Sequence, residues 1–285
     1  MLRFSDARGH VQTLPAEPRR LVSLVPSDTY NLFALGAGDR LVGRTVYCVD
    51  PAPAQAVETV GGTKNADVER IVALAPDVVL CNQEENRRVD VERLEAAGVC
   101  VLVAFPKTVA DGLEHVAALA ALFPSLRTEA VIEEGRASYA RYASAPDCPV
   151  PTFVPIWMDP LMTVHADTFI SDVVELCGGR NVFSDRRRRY PLAADLGRKE
   201  AVVKPGRDDR YPRVTMAEVE ARAPRLVLLP DEPHDFSETD AAVFRDALGP
   251  ATRVVRCNGK DLMWYGLRSL QGLTAVANHV AAAKP

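Results

Sequence analysis

The stretch Val68-Glu-Arg-Ile-Val-Ala-Leu-Ala-Pro-Asp-Val-Val-Leu80 decides the fold, because its pattern returns as Met216-Ala-Glu-Val-Glu-Ala-Arg-Ala-Pro-Arg-Leu-Val-Leu228. In each copy a helical pattern runs up to a proline, which has no backbone N–H to continue it, and an apolar run of strand length follows at once. The residues ahead of the two helices agree as well. Asp67 and Thr215 are both N-cap types, and Thr215-Met-Ala-Glu218 reads as a capping box whose side chains satisfy free N–H groups of the first turn. The repeat predicts an α/β chain of two similarly built, Rossmann-like lobes with parallel sheets. Ligands of open α/β sheets lie beyond the carboxyl ends of the strands. Those ends fall at Asn82 to Asn86 in one lobe and at Pro230 to Pro233 in the other.

Outward from the repeat, the first lobe alternates strand and helix as a parallel sheet requires. A hairpin is expected over Phe4 to Leu14, with its turn at Asp6 to Gly9. Strands are expected at Arg20 to Val25, Arg40 to Arg44 and Val99 to Ala104, and helices at Asp28 to Leu35 and Val89 to Ala97. Residues 109–122 and 125–142 are rich in Ala, Glu, Arg and Leu at helical spacing and predict a long helical connector, the second stretch reaching about 27 Å over 18 residues. The second lobe is expected to hold strands at Thr152 to Trp157 and Arg253 to Cys257 and helices at Thr168 to Cys177 and Leu267 to Ala282. The domain reading is therefore residues 1–108, a connector over 109–145, and residues 146–285. Ser184 to Arg213 carries Arg186 to Arg189, Lys199, Lys204, Arg207 and Arg210 without periodicity, and a loop of that length is either a lid or a solvated insertion.

The bulk composition suits two modest soluble domains: 285 residues, 47% of them hydrophobic. With 34 basic and 38 acidic residues the net charge is -4, which gives no electrostatic reason to expect nucleic acid or a membrane surface as partner. No segment approaches the ~20 apolar residues of a membrane helix, so membrane insertion is not expected. The opening residues Met1 to His10 lack the apolar core of a signal peptide, and the six cysteines show no C-x-x-C. Both features point to reduced thiols and a cytoplasmic location, or to an extracytoplasmic one if a leader has been removed.

Several segments together resemble the class III substrate-binding proteins of ABC importers, which join two lobes by a backbone helix and bind cobalamin, ferric siderophores or haem. The resemblance rests on Pro18-Arg-Arg-Leu-Val-Ser-Leu-Val-Pro-Ser27, Ala34-Leu-Gly-Ala-Gly-Asp-Arg-Leu-Val-Gly43, Val60-Gly-Gly-Thr63, the repeated unit, and Cys177-Gly-Gly-Arg-Asn-Val-Phe183. It is closest to the cobalamin-binding branch, in which aromatic side chains of both lobes sandwich the corrin. Tyr47 and Tyr211 stand at positions that are aromatic there, whereas Thr63-Lys64-Asn65 replaces a tryptophan. The family docks on its permease through a glutamate from each lobe. Glu69 matches the first, while the second position falls on Ala217 beside Glu218.

The candidate ligand-binding set is accordingly Ser27, Asp28, Tyr47, Cys48, Thr63, Lys64, Asn65, Glu84, Glu85 and Asn86 from the first lobe. From the second lobe and the start of the last helix come Trp157, Met162, Tyr190, Tyr211, Glu232, Trp264 and Arg268. Aromatic residues at strand ends suit a flat apolar ligand, and the acidic loops Asn82 to Asn86 and Asp231 to Asp235, which align Glu84 with Glu232, suit a cation or the amide fringe of a corrinoid. Core packing and solvated loops account for the same residue types. No cofactor is required beyond a bound corrinoid or metal chelate, no catalytic motif is found, and the metal assignment is open. Three functions follow: a non-catalytic binding protein for a corrinoid or related metal chelate, an exported importer receptor for cobalamin, ferric siderophore or haem, and a metal-binding enzyme or metallocofactor scaffold built on Cys48, Glu84, Glu232 and His234.

Overall fold

A computed structural model describes residues 1–143 and 148–284. The chain packs as two units, each with its own core. The first holds residues 1–106, 110–137 and 265–268, and the second residues 107–109, 138–264 and 269–285. The boundary expected at 145/146 lies outside the described residues.

The first unit opens with the hairpin β1 (Leu2–Ser5) and β2 (Val11–Leu14), followed by β3 (Leu21–Ser23), α1 (Pro26–Ala34) and β4 (Leu41–Arg44). A two-residue hairpin, β5 (Gly61–Gly62) and β6 (Asn65–Ala66), leads into α2 (Val68–Ala73), β7 (Val78–Asn82), α3 (Arg88–Ala96) and β8 (Val101–Ala104). The helices α4 (Val109–Ala120) and α5 (Glu129–Ala140) come next. The connector is therefore two 12-residue helices. Pro124 and the turn after it shorten the stretch expected over 125–142, leaving about 18 Å of helix.

The second unit runs β9 (Val150–Phe153), the hairpin β10 (Trp157–Met158) and β11 (Leu161–Met162), α6 (Phe169–Leu176), β12 (Gly179–Asn181) and the single turn α7 (Leu192–Asp195). It continues with α8 (Met216–Arg222), β13 (Leu226–Pro230), α9 (Glu238–Leu248), β14 (Arg253–Cys257), α10 (Lys260–Met263) and α11 (Leu267–Ala281), the first residues of α11 packing with the first unit.

The likeness of the two units goes beyond the repeat. The four parallel strands of the first sheet lie in the order β4-β3-β7-β8 and those of the second in the order β12-β9-β13-β14. The central strands β7 and β13 are buried over their whole length, which is why they read as unbroken apolar runs. Around β7 pack Val22, Val60, Ile71, Leu94 and Val101, and around β13 pack Phe153, Phe183, Val219, Phe236 and Phe244. Each fully buried Val, Leu or Phe contributes about 1.5–3 kcal/mol, so either core is ample for a unit of this size.

The repeat helices stop just before the expected proline, α2 at Ala73 and α8 at Arg222. Ala75 and Ala223, each followed by proline, take the left-handed conformation with φ 46°, the backbone turn that commonly ends a helix. The chain then turns into its strand through matching bonds: the Asp77 N–H donates to the Arg20 carbonyl and the Arg225 N–H to the Pro151 carbonyl, each at 2.8 Å. Asp67 caps α2 by accepting the Arg70 N–H, and the Thr215 hydroxyl caps α8 by accepting the Glu218 N–H. The capping box at α8 forms only in that half, since the Glu218 carboxylate accepts from Arg186 Nε at 3.0 Å. A complete box sits instead at α9, where Ser237 and Asp240 bond reciprocally.

Candidate functional site

In the first unit the loops leaving β3, β4 and β7 converge at the carboxyl edge of the sheet, held by one asparagine. Asn86 is buried, accepts the Asn82 N–H at 2.8 Å, and donates to the carbonyls of Leu24 and Thr63 at 3.1 and 3.0 Å. Asn82 in turn accepts the Glu84 N–H at 2.8 Å, and Lys64 Nζ donates to the Glu84 carbonyl. Gly62 lets the Asn65 side chain fold back and the Tyr47 ring pass close by. A Cβ at Gly62 would lie 2.4 Å from Asn65 Oδ1 and 3.3 Å from Tyr47 Cε2. Tyr47 is left 59% exposed at the tip of this edge, with Lys64, Asn65 and Glu85 also exposed and Glu84 half-buried. Thr63 lies inside, its carbonyl engaged.

Three expected site residues of this unit are turned inward. Asp28 is buried and accepts three bonds, from the Tyr265 hydroxyl at 3.0 Å, from His115 Nε2 at 2.7 Å and from Asn31 Nδ2 at 3.5 Å. Ser27 beside it is buried in the first turn of α1. Cys48 is fully buried with its thiol 3.1 Å from the Thr45 hydroxyl, and burial pushes that thiol up from its ordinary range, which makes it a poor nucleophile or metal ligand. Arg268 is half-buried near the start of α11.

The second unit gathers its aromatic residues the same way. Trp157, on the hairpin that follows β9, is 42% exposed, with its indole N–H on the Asp159 carbonyl at 3.0 Å. Its ring lies 5.4 Å from that of His234, which packs edge-on against Phe236 at 4.6 Å. Residues 210–214 run antiparallel to 161–165, Met162 bridging Arg213, and this places Tyr211 and Met162, both half-buried, on adjoining segments. The Arg210 guanidinium lies 5.4 Å over the Tyr211 ring, and Tyr190 donates its hydroxyl to the Asp208 carbonyl at 2.7 Å. Beyond β13, Asp231 accepts the Gly259 N–H at 2.7 Å, and Glu232 packs where a Cβ on Gly259 would stand. Trp264 is a correction: it is buried, with Lys260 Nζ 5.0 Å over its ring, because α10 folds the chain inward just before it.

The segment 184–213 is pinned rather than loose. Buried Arg186 bonds Asp195 and Glu218, and the Asp195 carboxylate accepts the N–H groups of Arg189 and Arg213. Arg187 pairs with Asp209, and Arg210 with Asp208. The sequence holds no periodic signal for this arrangement, which depends on one buried aspartate inside a polar run. Of the glutamates expected to meet a permease, Glu69 is strongly exposed on α2 and pairs with Arg93, whereas Glu218 is drawn into the Arg186 cluster.

Among the described residues, no group of three or more His, Cys, Asp or Glu side chains is placed to hold a metal ion, so Cys48, Glu84, Glu232 and His234 do not form a common centre. No helix is long and apolar enough to cross a membrane. Each unit can instead offer aromatic rings beside carbonyl and carboxylate acceptors at its strand ends, a surface suited to a flat body with hydrogen-bond donors on its rim.

The vitamin B12-binding protein of Yersinia pestis (strain Pestoides F) is 33% identical over 183 residues, covering 63% of this chain and 65% of that relative, just under two thirds of its length. That of Photorhabdus laumondii is 28% identical over 207 residues, covering 72% and 74%. The fold is that of the periplasmic vitamin B12-binding protein BtuF of Vibrio cholerae, with TM-score 0.73, 22% identity, and 94% and 99% of the two chains covered. It is likewise that of the periplasmic haem-binding protein RhuT of Roseiflexus sp. RS-1, with TM-score 0.71, 19% identity, and 93% and 98% covered. The solved proteins of this fold are periplasmic, which favours the extracytoplasmic alternative over the cytoplasmic expectation. That expectation leaned on reduced thiols, and thiols as buried as Cys48, Cys81 and Cys177 escape pairing on either side of a membrane. The model of the periplasmic binding protein family matches residues 21–201, more than half of the sequence, and the chain belongs to that family.

Proposed function

We propose that the protein is a non-catalytic, extracytoplasmic receptor for a corrinoid or a related tetrapyrrole chelate, serving an ABC importer. The observation that carries this reading is the display of an exposed aromatic residue at the strand ends of each unit, Tyr47 in the first and Trp157 in the second, in a chain 33% identical over 183 residues to a vitamin B12-binding protein. Aromatic rings give large contact area for little entropy loss, which suits a macrocycle. The amide and carboxylate groups of Asn65, Glu84 and Glu232 supply acceptors for its fringe. Haem is the second ligand this surface suits, because the same fold is found in haem-binding proteins and the Thr63 to Asn65 hairpin puts polar residues where the cobalamin branch has a tryptophan. Exposed Glu69 is the contact proposed for the permease.

Isothermal titration with cobalamin, cobinamide and haem tests this reading, repeated on the double variant Tyr47→Ala, Tyr211→Ala. Saturable binding of one of the three is expected, weakened at least about tenfold in the variant. Silence with all three ligands would refute the tetrapyrrole reading.

A further inference from the structure

Two arginines of the second unit stand out, each with a guanidinium nitrogen that is not hydrogen-bonded among the described residues. Arg188 Nε and Arg213 Nε are shut off from solvent and have no hydrogen-bond partner among the described residues. Nearby acids are already engaged: Asp185 with Arg222, Asp195 with Arg186, Asp208 with Arg210, and Asp209 with Arg187. Accepting the backbone N–H groups of Arg189 and Arg213, Asp195 ties together the two segments that carry Arg188 and Arg213. Their mutual repulsion shows in Arg213, whose pKa burial and the Arg188 charge together depress. Tyr190 stands alongside, with Arg188 4.8 Å and Arg207 5.6 Å from its ring centre, so one aromatic face concentrates further positive charge at the same place.

A desolvated guanidinium N–H without an acceptor is costly, and two such groups are costlier still, unless an anion completes them. Arginine presents its N–H donors as a planar fork that fits carboxylate or phosphate oxygens. Both residues are half-buried. We propose that Arg188 and Arg213, with Tyr190 beside them, form an oxyanion site on the second unit that takes a carboxylate or phosphate group. The bridge between Arg213 and Met162 sets this site next to the aromatic residues of the same unit. The anion is either free in solution or an acid group on the chelate, and only the second source rests on the function proposed above.

Nitrogen-resolved NMR of the arginine Nε–H groups tests the site directly. Resonances lost in Arg188→Gln and in Arg213→Gln assign the two groups in the wild-type protein, and Arg245→Gln on α9 is the control. Titration with inorganic phosphate and with citrate is expected to shift both resonances saturably, with affinity falling at least about tenfold in the double glutamine variant. In a second arm, haem is compared with haem dimethyl ester, and cobalamin with cobinamide, which lacks the phosphodiester. Tighter binding of the acid form, with the difference abolished by the glutamine substitutions, assigns the site to the chelate. A phosphate response without that difference assigns it to a separate anion. If the wild-type resonances ignore phosphate and citrate, and the acid and ester forms bind alike, the site does not exist. The wild-type titration stands even where a variant fails to fold.

Discussion

Asn86 holds together the strand-end loops of the first unit with three hydrogen bonds, all from a buried side chain. Asn86→Ala strands one N–H and two carbonyls away from water and is expected to cost about 3 kcal/mol, read as a lower urea midpoint. Asn86→Asp keeps the acceptor but places a carboxylate against two carbonyls, and is expected to be at least as damaging. His165 sets a pH dependence. Its Nδ1 accepts the Asp167 N–H at 2.9 Å, and burial, helped by the Arg187 charge, holds its pKa below the ordinary 6.5. The unfolded chain therefore takes up a proton near pH 6.5 that the folded chain refuses until lower pH. The stabilisation is complete above that value and is lost as the pH falls through the lower, folded pKa. Thermal unfolding between pH 7.5 and 5 should show a smaller drop in Tm for His165→Asn than for the wild type. Some slope remains, because His279 is depressed in the same direction.

At the scale of elements, the two alanines at φ 46° are a shared strain. A left-handed alanine costs roughly 1–2 kcal/mol, which glycine avoids at the expense of a more flexible unfolded chain. Ala75→Gly and Ala223→Gly are each expected to be neutral or to stabilise by up to about 1 kcal/mol in denaturant melts, whereas glycine inside α2 or α8 would destabilise. The strands and helices legible in the sequence are those with a physical signature. β7, β13 and β14 read as apolar runs, and the repeat helices carry caps and a closing proline. The edge strand β12, Gly179–Asn181, left no such mark, since one glycine, one arginine and one asparagine contribute little apolar pattern. The Ser237 to Asp240 box is a local signal for the start of α9. Sequence placed functional residue types at strand ends, but periodicity does not tell which side of a loop faces inward. For that reason Asp28, Cys48 and Trp264 joined the expected binding set although the fold buries them.

For the molecule as a whole, two separate cores imply two cooperative transitions, which differential calorimetry of the ligand-free protein should resolve or broaden. A ligand held by one unit at about 100 times its Kd adds ~2.7 kcal/mol and should raise the transition of that unit. The network around Asp28 has a consequence for the order of events in the making of this protein. Tyr265 supplies a hydrogen bond to Asp28, 237 residues before it, its carbonyl accepts from Asn31, and the Leu267 N–H donates back to Asn31. On a ribosome that delivers residues in sequence, Asp28 and Asn31 emerge first and wait, incompletely paired, until Leu267 has been made. The first unit begun is thus finished only after most of the second has been made.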